Sequence, residues 1–284
     1  MIRLKDKGVN QSKKLRLTPF GLIFVAVLFM LLGTGCAGGI GEKRMLFQHS
    51  AIKPLLEGGY EAGMTCGELR KHGDFGIGTF EGLDGEMVLL DGIIYQIRGD
   101  GRAYRVADSL GTPFAAVTFF QGKKVKPTTG LSDYGKLTDY LDQQLPTKNL
   151  FYAVRIDGTF KWVKTRSCFK QSPPYPRLVE AVRSQREFEM HNVRGTLVGF
   201  RCPDYVNGIN VPGYHLHFIT EDRTAGGHVL GCIPDQLEIR IDTVADFQMN
   251  LPENESFFKL DLSTTKSGEL EKVEKGTAPR KEPR

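Results

Sequence analysis

The chain has 284 residues, 40% of them hydrophobic and 25% charged, so it can bury a sizeable core and is neither fibrous nor disordered. Its formal net charge of +5 comes from one end, where Arg3, Lys5, Lys7, Lys13, Lys14 and Arg16 face Asp6 alone. The remainder is close to neutral, which excludes the basic footprint of a nucleic-acid-binding protein. Glycine is frequent, at 33 residues, and favours turns and strands over long helices.

The basic start runs into an apolar stretch at 22–32, too short for a comfortable membrane span. Small residues at 33–39 follow, in the layout of a signal-peptide cleavage region. Residues 1–36 are therefore read as an export signal. Cys36 after small residues resembles a bacterial lipoprotein box, although Gly33 stands where a leucine-like residue is usual. The chain is expected to be exported, periplasmic or at the cell surface, lipid-anchored at Cys36, cleaved and released, or held by an uncleaved leader. It would meet a membrane only through this leader. The other cysteines, Cys66, Cys168, Cys202 and Cys232, match no zinc-knuckle or CxxC spacing and are read as buried free thiols.

After the leader, 44–56 reads as an extended segment entering a short helix. Thr65 and Glu68 then have the spacing of a capping box and open a second helix. Strands are expected at 75–80, 86–90, 93–97 and 102–105, separated by the turns Asp84-Gly85, Asp91-Gly92 and Asp100-Gly101. Another strand is expected at 114–120. Leu131, Tyr134, Leu137, Leu141 and Leu145 recur at helical spacing and predict an amphipathic helix. Beyond it, 150–156 and 159–163 read as a hairpin turning at Asp157-Gly158, and 177–190 as a helix. Strands follow at 195–200, 215–220, 228–230 and 239–249, then a short helix at 270–273. The pattern implies an α+β fold of two mixed or antiparallel sheet subdomains with a few flanking helices, at 37–149 and 150–275, before a polar tail at 276–284. A shared Gly-Thr-aromatic rhythm in GIGTFEGLDGEMVLL and RGTLVGFRCPDYVNG leaves an internal duplication open.

The most informative segment is GYHLHFIT. Alternate side chains of a strand share a face, so His215 and His217 point one way while Leu216 and Phe218 point the other. A polar turn at 221–227 then returns the chain at His228. Half of the six histidines thus fall within fourteen residues, at spacing that lets three imidazoles converge from two adjacent strands. That is the three-ligand, open-position arrangement of catalytic zinc, although other metals accept three nitrogens. His49, His72 and His191 are scattered and are read as structural.

GYHLHFITEDRTAGGHVL, with RGTLVGFRCPDYVNGINVPG just upstream, closely resembles the α-acetolactate decarboxylase family. KHGDFGIGTFEGLDGEMVLLDGIIYQIRGDG and TPFAAVTFF resemble it too, and the likeness spans about residues 45 to 275. The resemblance implies an α+β zinc enzyme, usually a homodimer, that converts the small molecule 2-acetolactate to acetoin and carbon dioxide in acetoin and butanediol biosynthesis. It places zinc on His215, His217 and His228, and adds Glu86 and Arg166. A C-terminal glutamate aligns with Glu274, with Glu271 as the competing choice. Thr79, Leu55 and Leu83 match the pocket wall. In the mechanism this implies, zinc chelates the keto and hydroxyl oxygens, and Glu86 or Glu274 protonates the enediolate. Two alternatives stand beside it: a zinc-dependent hydrolase, and a metal-binding relative without turnover.

Overall fold

The computed structural model describes residues 44–126, 128–263 and 268–274. The expected export signal at 1–36, with Cys36, and the expected tail at 276–284 lie outside the described residues. The described residues belong to one compact unit, and none of their helices is long and apolar enough to cross a membrane. The architecture is α+β with strands dominant.

The first sheet has seven strands: β1 (Met45–His49), β3 (Phe75–Thr79), β4 (Glu86–Leu90), β5 (Ile93–Ile97), β6 (Ala103–Arg105), β8 (Ala115–Thr118) and β14 (Asp246–Asn250). Their order is β14-β1-β8-β3-β4-β5-β6; β14 runs parallel to β1 and the other pairs are antiparallel. The Asp-Gly signals hold here. Asp91 (φ 53°) and Gly92 (φ 75°) close the β4–β5 hairpin in the primed geometry that matches strand twist. A small ladder joins β2 (Met64–Thr65) to β7 (Gly111–Thr112).

Short helices flank the strands: α1 (Ile52–Leu56), α2 (Cys66–Leu69), α3 (Tyr134–Gln144), α4 (Leu178–Ala181), α5 (Glu255–Phe258) and α6 (Glu269–Glu274). The capping box at α2 forms in both directions between Thr65 and Glu68. The Asp133 side chain caps α3 by accepting from the Lys136 N–H.

The second sheet contains β9 (Lys123–Lys124), β10 (Phe151–Ser167), β11 (Arg186–Cys202), β12 (Gly213–Thr220) and β13 (Gly226–Val244). Because β13 pairs with β10 as well as β12, the ladders of β10, β11, β12 and β13 close into a ring. Three expectations fail here. Asp157-Gly158 is no turn but lies inside the 17-residue β10, paired with Thr196-Gly195 on one side and Glu238-Leu237 on the other. A Cβ at Gly158 would come within 2.1 Å of the Gln236 carbonyl oxygen, so the glycine serves close strand approach. The helix expected over 177–190 stops after α4 and one 3-10 turn at Val182–Ser184. Phe188 and Met190 instead alternate with exposed Glu187 and Glu189 on β11, the period of two of a strand. The strand expected over 239–249 divides: the chain leaves the second sheet after Val244 and joins the first at Asp246.

The faces of the two sheets share a core, with Leu46, Phe75 and Val88 packed against Ala153, Val198 and Phe200. On the far side of the second sheet, Leu137 and Leu141 of α3 cover Val154, Leu197, Leu216 and Phe218. Cys66, Cys168, Cys202 and Cys232 are all free and buried.

Candidate active site

His215 and His217 project from one face of β12, while Leu216 and Phe218 are buried in the cluster beneath α3. Across the ladder His217 pairs with His228 of β13. Gly226 makes that approach possible, since a Cβ there would stand 2.1 Å from the Phe218 carbonyl oxygen. On its other side His228 pairs with Arg166 of β10. The imidazole centroids lie 5.1 Å (215–217), 5.0 Å (215–228) and 5.4 Å (217–228) apart. One ring nitrogen from each lies within 4.8 Å of the other two.

Two carboxyls meet these rings from opposite directions. Glu86, at the start of β4 in the other sheet, has Oε2 3.5 Å from His217 Nε2. Glu274, the last residue of α6, has Oε2 3.7 Å from Nε2 of both His215 and His228. The His217 Nδ1–H donates to the Met87 carbonyl at 2.8 Å, which assigns the proton to Nδ1 and leaves Nε2 free as a ligand. Arg166 is 3% exposed and donates from Nη1 to Gln185 Oε1 at 2.7 Å.

Burial sets the charge states. It holds His215 down at about 3, with the Arg166 charge adding to the effect. His217 is driven well below the ordinary value by burial and then by His215, and His228 by burial and then by Arg166. Both carboxyls move the other way: burial raises Glu86 and Glu274 to about 7 against the pull of Arg166. Three neutral imidazoles therefore converge, one ring nitrogen of each within 4.8 Å of the other two, while His228 Nε2 also lies 3.1 Å from the Glu274 main-chain carbonyl oxygen. His217 Nε2 and Glu274 Oε2 are buried there without a hydrogen-bond partner. Orphaned acceptors at one point are costly unless a cation shares them, so the donor set fits a bound metal ion.

The pocket brings together every site residue anticipated from the sequence: Thr79, Leu55 and Leu83 on the wall, with Glu86, Arg166, Glu274 and the three histidines. Thr79 donates its hydroxyl to the Gly85 carbonyl at 2.7 Å. Glu271 is exposed on α6, whereas Glu274 faces the histidines. The other histidines lie elsewhere: buried His49 donates from Nδ1 to Asn250 Oδ1, His72 stacks on Phe47, and His191 is exposed on β11. Sequence reasoning missed Ile52, Gly78, Phe114, Cys168, Leu178, Val182 and Val273, which complete the wall. It also missed Gln185, which steers Arg166. Apolar residues in short helices carry no signal for which cavity they face, and a lone glutamine carries none at all.

Three histidines, two carboxyls and an arginine beneath an apolar wall make the kind of pocket in which an enzyme handles a small polar molecule at a metal centre. The comparisons with known proteins narrow this class. The family model for alpha-acetolactate decarboxylase matches residues 46–264. An alpha-acetolactate decarboxylase from Methanosarcina mazei is 50% identical over 231 residues, covering 81% of this chain and 80% of the relative. One from Brevibacillus brevis is 43% identical over 238 residues, covering 84% of each. The crystal structure of the alpha-acetolactate decarboxylase from Bacillus subtilis strain 168 superposes with a TM-score of 0.78 at 39% identity, covering 82% of this chain and 100% of that one. The chain belongs to the alpha-acetolactate decarboxylase family, whose members are carboxy-lyases.

Proposed function

We propose that this chain converts 2-acetolactate to acetoin and carbon dioxide, with zinc held by His215, His217 and His228. The observation that carries the reading is the meeting, in a member of this family, of three buried imidazoles with two carboxyls, Glu86 Oε2 3.5 Å from His217 Nε2 and Glu274 Oε2 3.7 Å from Nε2 of His215 and His228. Zinc, when bound, would supply Lewis acidity towards the negative charge that develops as carbon dioxide leaves.

This chain's own residues do the rest. Arg166, steered by Gln185, presents a planar fork to the substrate's oxygens. It orients them without clamping the carboxylate, whose charge departs with the product gas. The proton delivered to the product carbon comes from Glu86 or Glu274, the two carboxyls that meet the histidines, whose burial favours the protonated form. One fixed donor protonates one face and makes a single enantiomer. Leu55, Leu83, Phe114 and Val273 take the substrate's methyl groups and keep bulk water from the reacting carbon. The proposal includes export through the leader and a homodimeric state, which N-terminal sequencing of the secreted chain and sedimentation would check.

The test uses a purified chain lacking residues 1–36, with His217→Ala as control. Elemental analysis should find about one zinc per chain, a single site, and racemic 2-acetolactate should yield acetoin, both lost in the variant. Zinc without acetoin would turn the reading to the hydrolase or to a relative without turnover, and no metal would end it.

A further inference from the structure

Three short helices roof the pocket, and the guanidinium of the residue that opens one of them bonds the ends of the other two. α1 places Ile52 and Leu55 on the wall, α4 places Leu178, and α6 places Val273 and Glu274. Glu57 is the C-cap of α1, Arg177 the N-cap of α4, and Glu269 the first residue of α6. Arg177 donates from Nε to Glu57 Oε2 at 2.8 Å and from Nη2 to Glu57 Oε1 at 2.7 Å. It also donates from Nη1 and Nη2 to the two Glu269 oxygens, both at 2.7 Å. Both carboxylates are thus held by two bonds from one planar fork.

None of these helices exceeds six residues, far below the roughly 12–15 at which an isolated helix becomes stable in water. Their geometry must therefore come from side chains. Apolar packing of Leu270 and of Val273, which is 2% exposed, holds α6 down, and at its far end the Glu274 main-chain carbonyl accepts from His228 Nε2 at 3.1 Å. The fork at Glu269 anchors the opposite, N-terminal end of the helix. Glu274 lies five residues on, about 7.5 Å along the axis at 1.5 Å per residue, so a slip at the first residue moves the carboxyl away from His215 and His228. An exposed single ion pair would be a weak latch, but Arg177, Glu57 and Glu269 are only 22%, 18% and 16% exposed.

We propose that Arg177 is a positioning residue that latches α6 to α1 and α4, and so holds the Glu274 carboxyl against the histidines. The role rests on the reading of Glu274 as part of the reacting site. The test measures hydrogen exchange of residues 268–274 in the full chain, together with metal content and steady-state acetoin formation. The variants are Arg177→Met, Glu269→Gln and the pair combined. Both single variants should speed exchange of the α6 amides about tenfold, the scale of one lost charge-assisted contact, while α3 exchange and metal content stay unchanged. Turnover should fall about tenfold with KM within about twofold, since a proton donor acts after binding. The double variant should be no worse than Arg177→Met, because both changes open the same latch. Wild-type exchange of α6 in both single variants would overturn the proposal, as would losses in the double variant that multiply. If the wild-type chain makes no acetoin, the decarboxylase reading fails while the exchange measurement still decides the latch.

Discussion

The two sides of the pocket are built in opposite ways. The histidine side stands on β12 and β13, inside a ring of hydrogen-bonded ladders whose far face is packed beneath α3. The roof is made of helices of four to six residues, joined by side chains from three distant parts of the chain. Backbone ladders fix His215, His217 and His228 relative to one another before any ligand arrives. Glu274 lies in no such ladder, and its position depends on Val273, Leu270, the Arg177 fork and one bond from His228 Nε2 to its main-chain carbonyl. A site of this kind separates the holding of an ion, which needs rigidity, from the closing of a pocket, which needs an element able to open for substrate and product.

The contrast can be broken most severely on the rigid side. His217→Ala should abolish metal binding and reduce acetoin formation to background, measured by elemental analysis and a product assay. Retained metal would mean that the ring does not define the ion's place. On the roof, Glu274→Gln should keep the metal yet lower turnover by about 10²–10⁴-fold if Glu274 is the proton donor. Glu86→Gln sets the comparison, and the larger kcat loss with metal retained identifies the donor. Loss of metal in both would make the carboxyls ligands.

Folding stability should follow the same division. Phe218 is fully buried behind the histidines, so Phe218→Ala should cost about 3–5 kcal/mol in denaturant unfolding. Leu270→Ala in the partly buried roof should cost about 1 kcal/mol or less, since α6 can detach without the sheets. Equal costs would erase the distinction between frame and roof. The smallest effect concerns acid. Asp157 accepts from Arg155, Thr196 and Arg240, and these partners hold its carboxyl below the ordinary value against the opposing effect of burial. A depressed folded value contributes stability above the unfolded value of about 3.9 and loses it as pH falls through the folded one. Asp157→Asn should therefore flatten the loss of stability below about pH 4 and leave the metal site untouched.

Much of this was legible along the chain, and the exceptions share a cause. The His-x-His face followed from the period of two in a strand, and the Asp91-Gly92 hairpin and the Thr65 capping box followed from residues a few positions apart. Glu86, Arg166 and Glu274 became visible only through the likeness of long motifs to a family, because a single charged residue in a strand or helix carries no sign of its destination. Arg177 was silent even so, because its partners lie 120 and 92 residues away.

Local chemistry in the sequence determined the turns, the caps, the alternation of faces and hence the convergence of three imidazoles. Tertiary structure alone decided the rest. Asp157-Gly158 carries the composition of a turn, yet β11 and β13 press on both sides of it and make it the middle of a long strand. Phe188 and Met190 fit a helix until β10 offers a partner ladder. The identity of Glu274 over Glu271 depends on which way a six-residue helix rotates, and that rotation is set by apolar packing, a guanidinium fork at one end and the His228 bond to the Glu274 carbonyl at the other. Short-range patterns encode what neighbouring residues can satisfy among themselves, whereas a buried carboxyl or a close strand approach is decided by groups that meet only when the chain has folded.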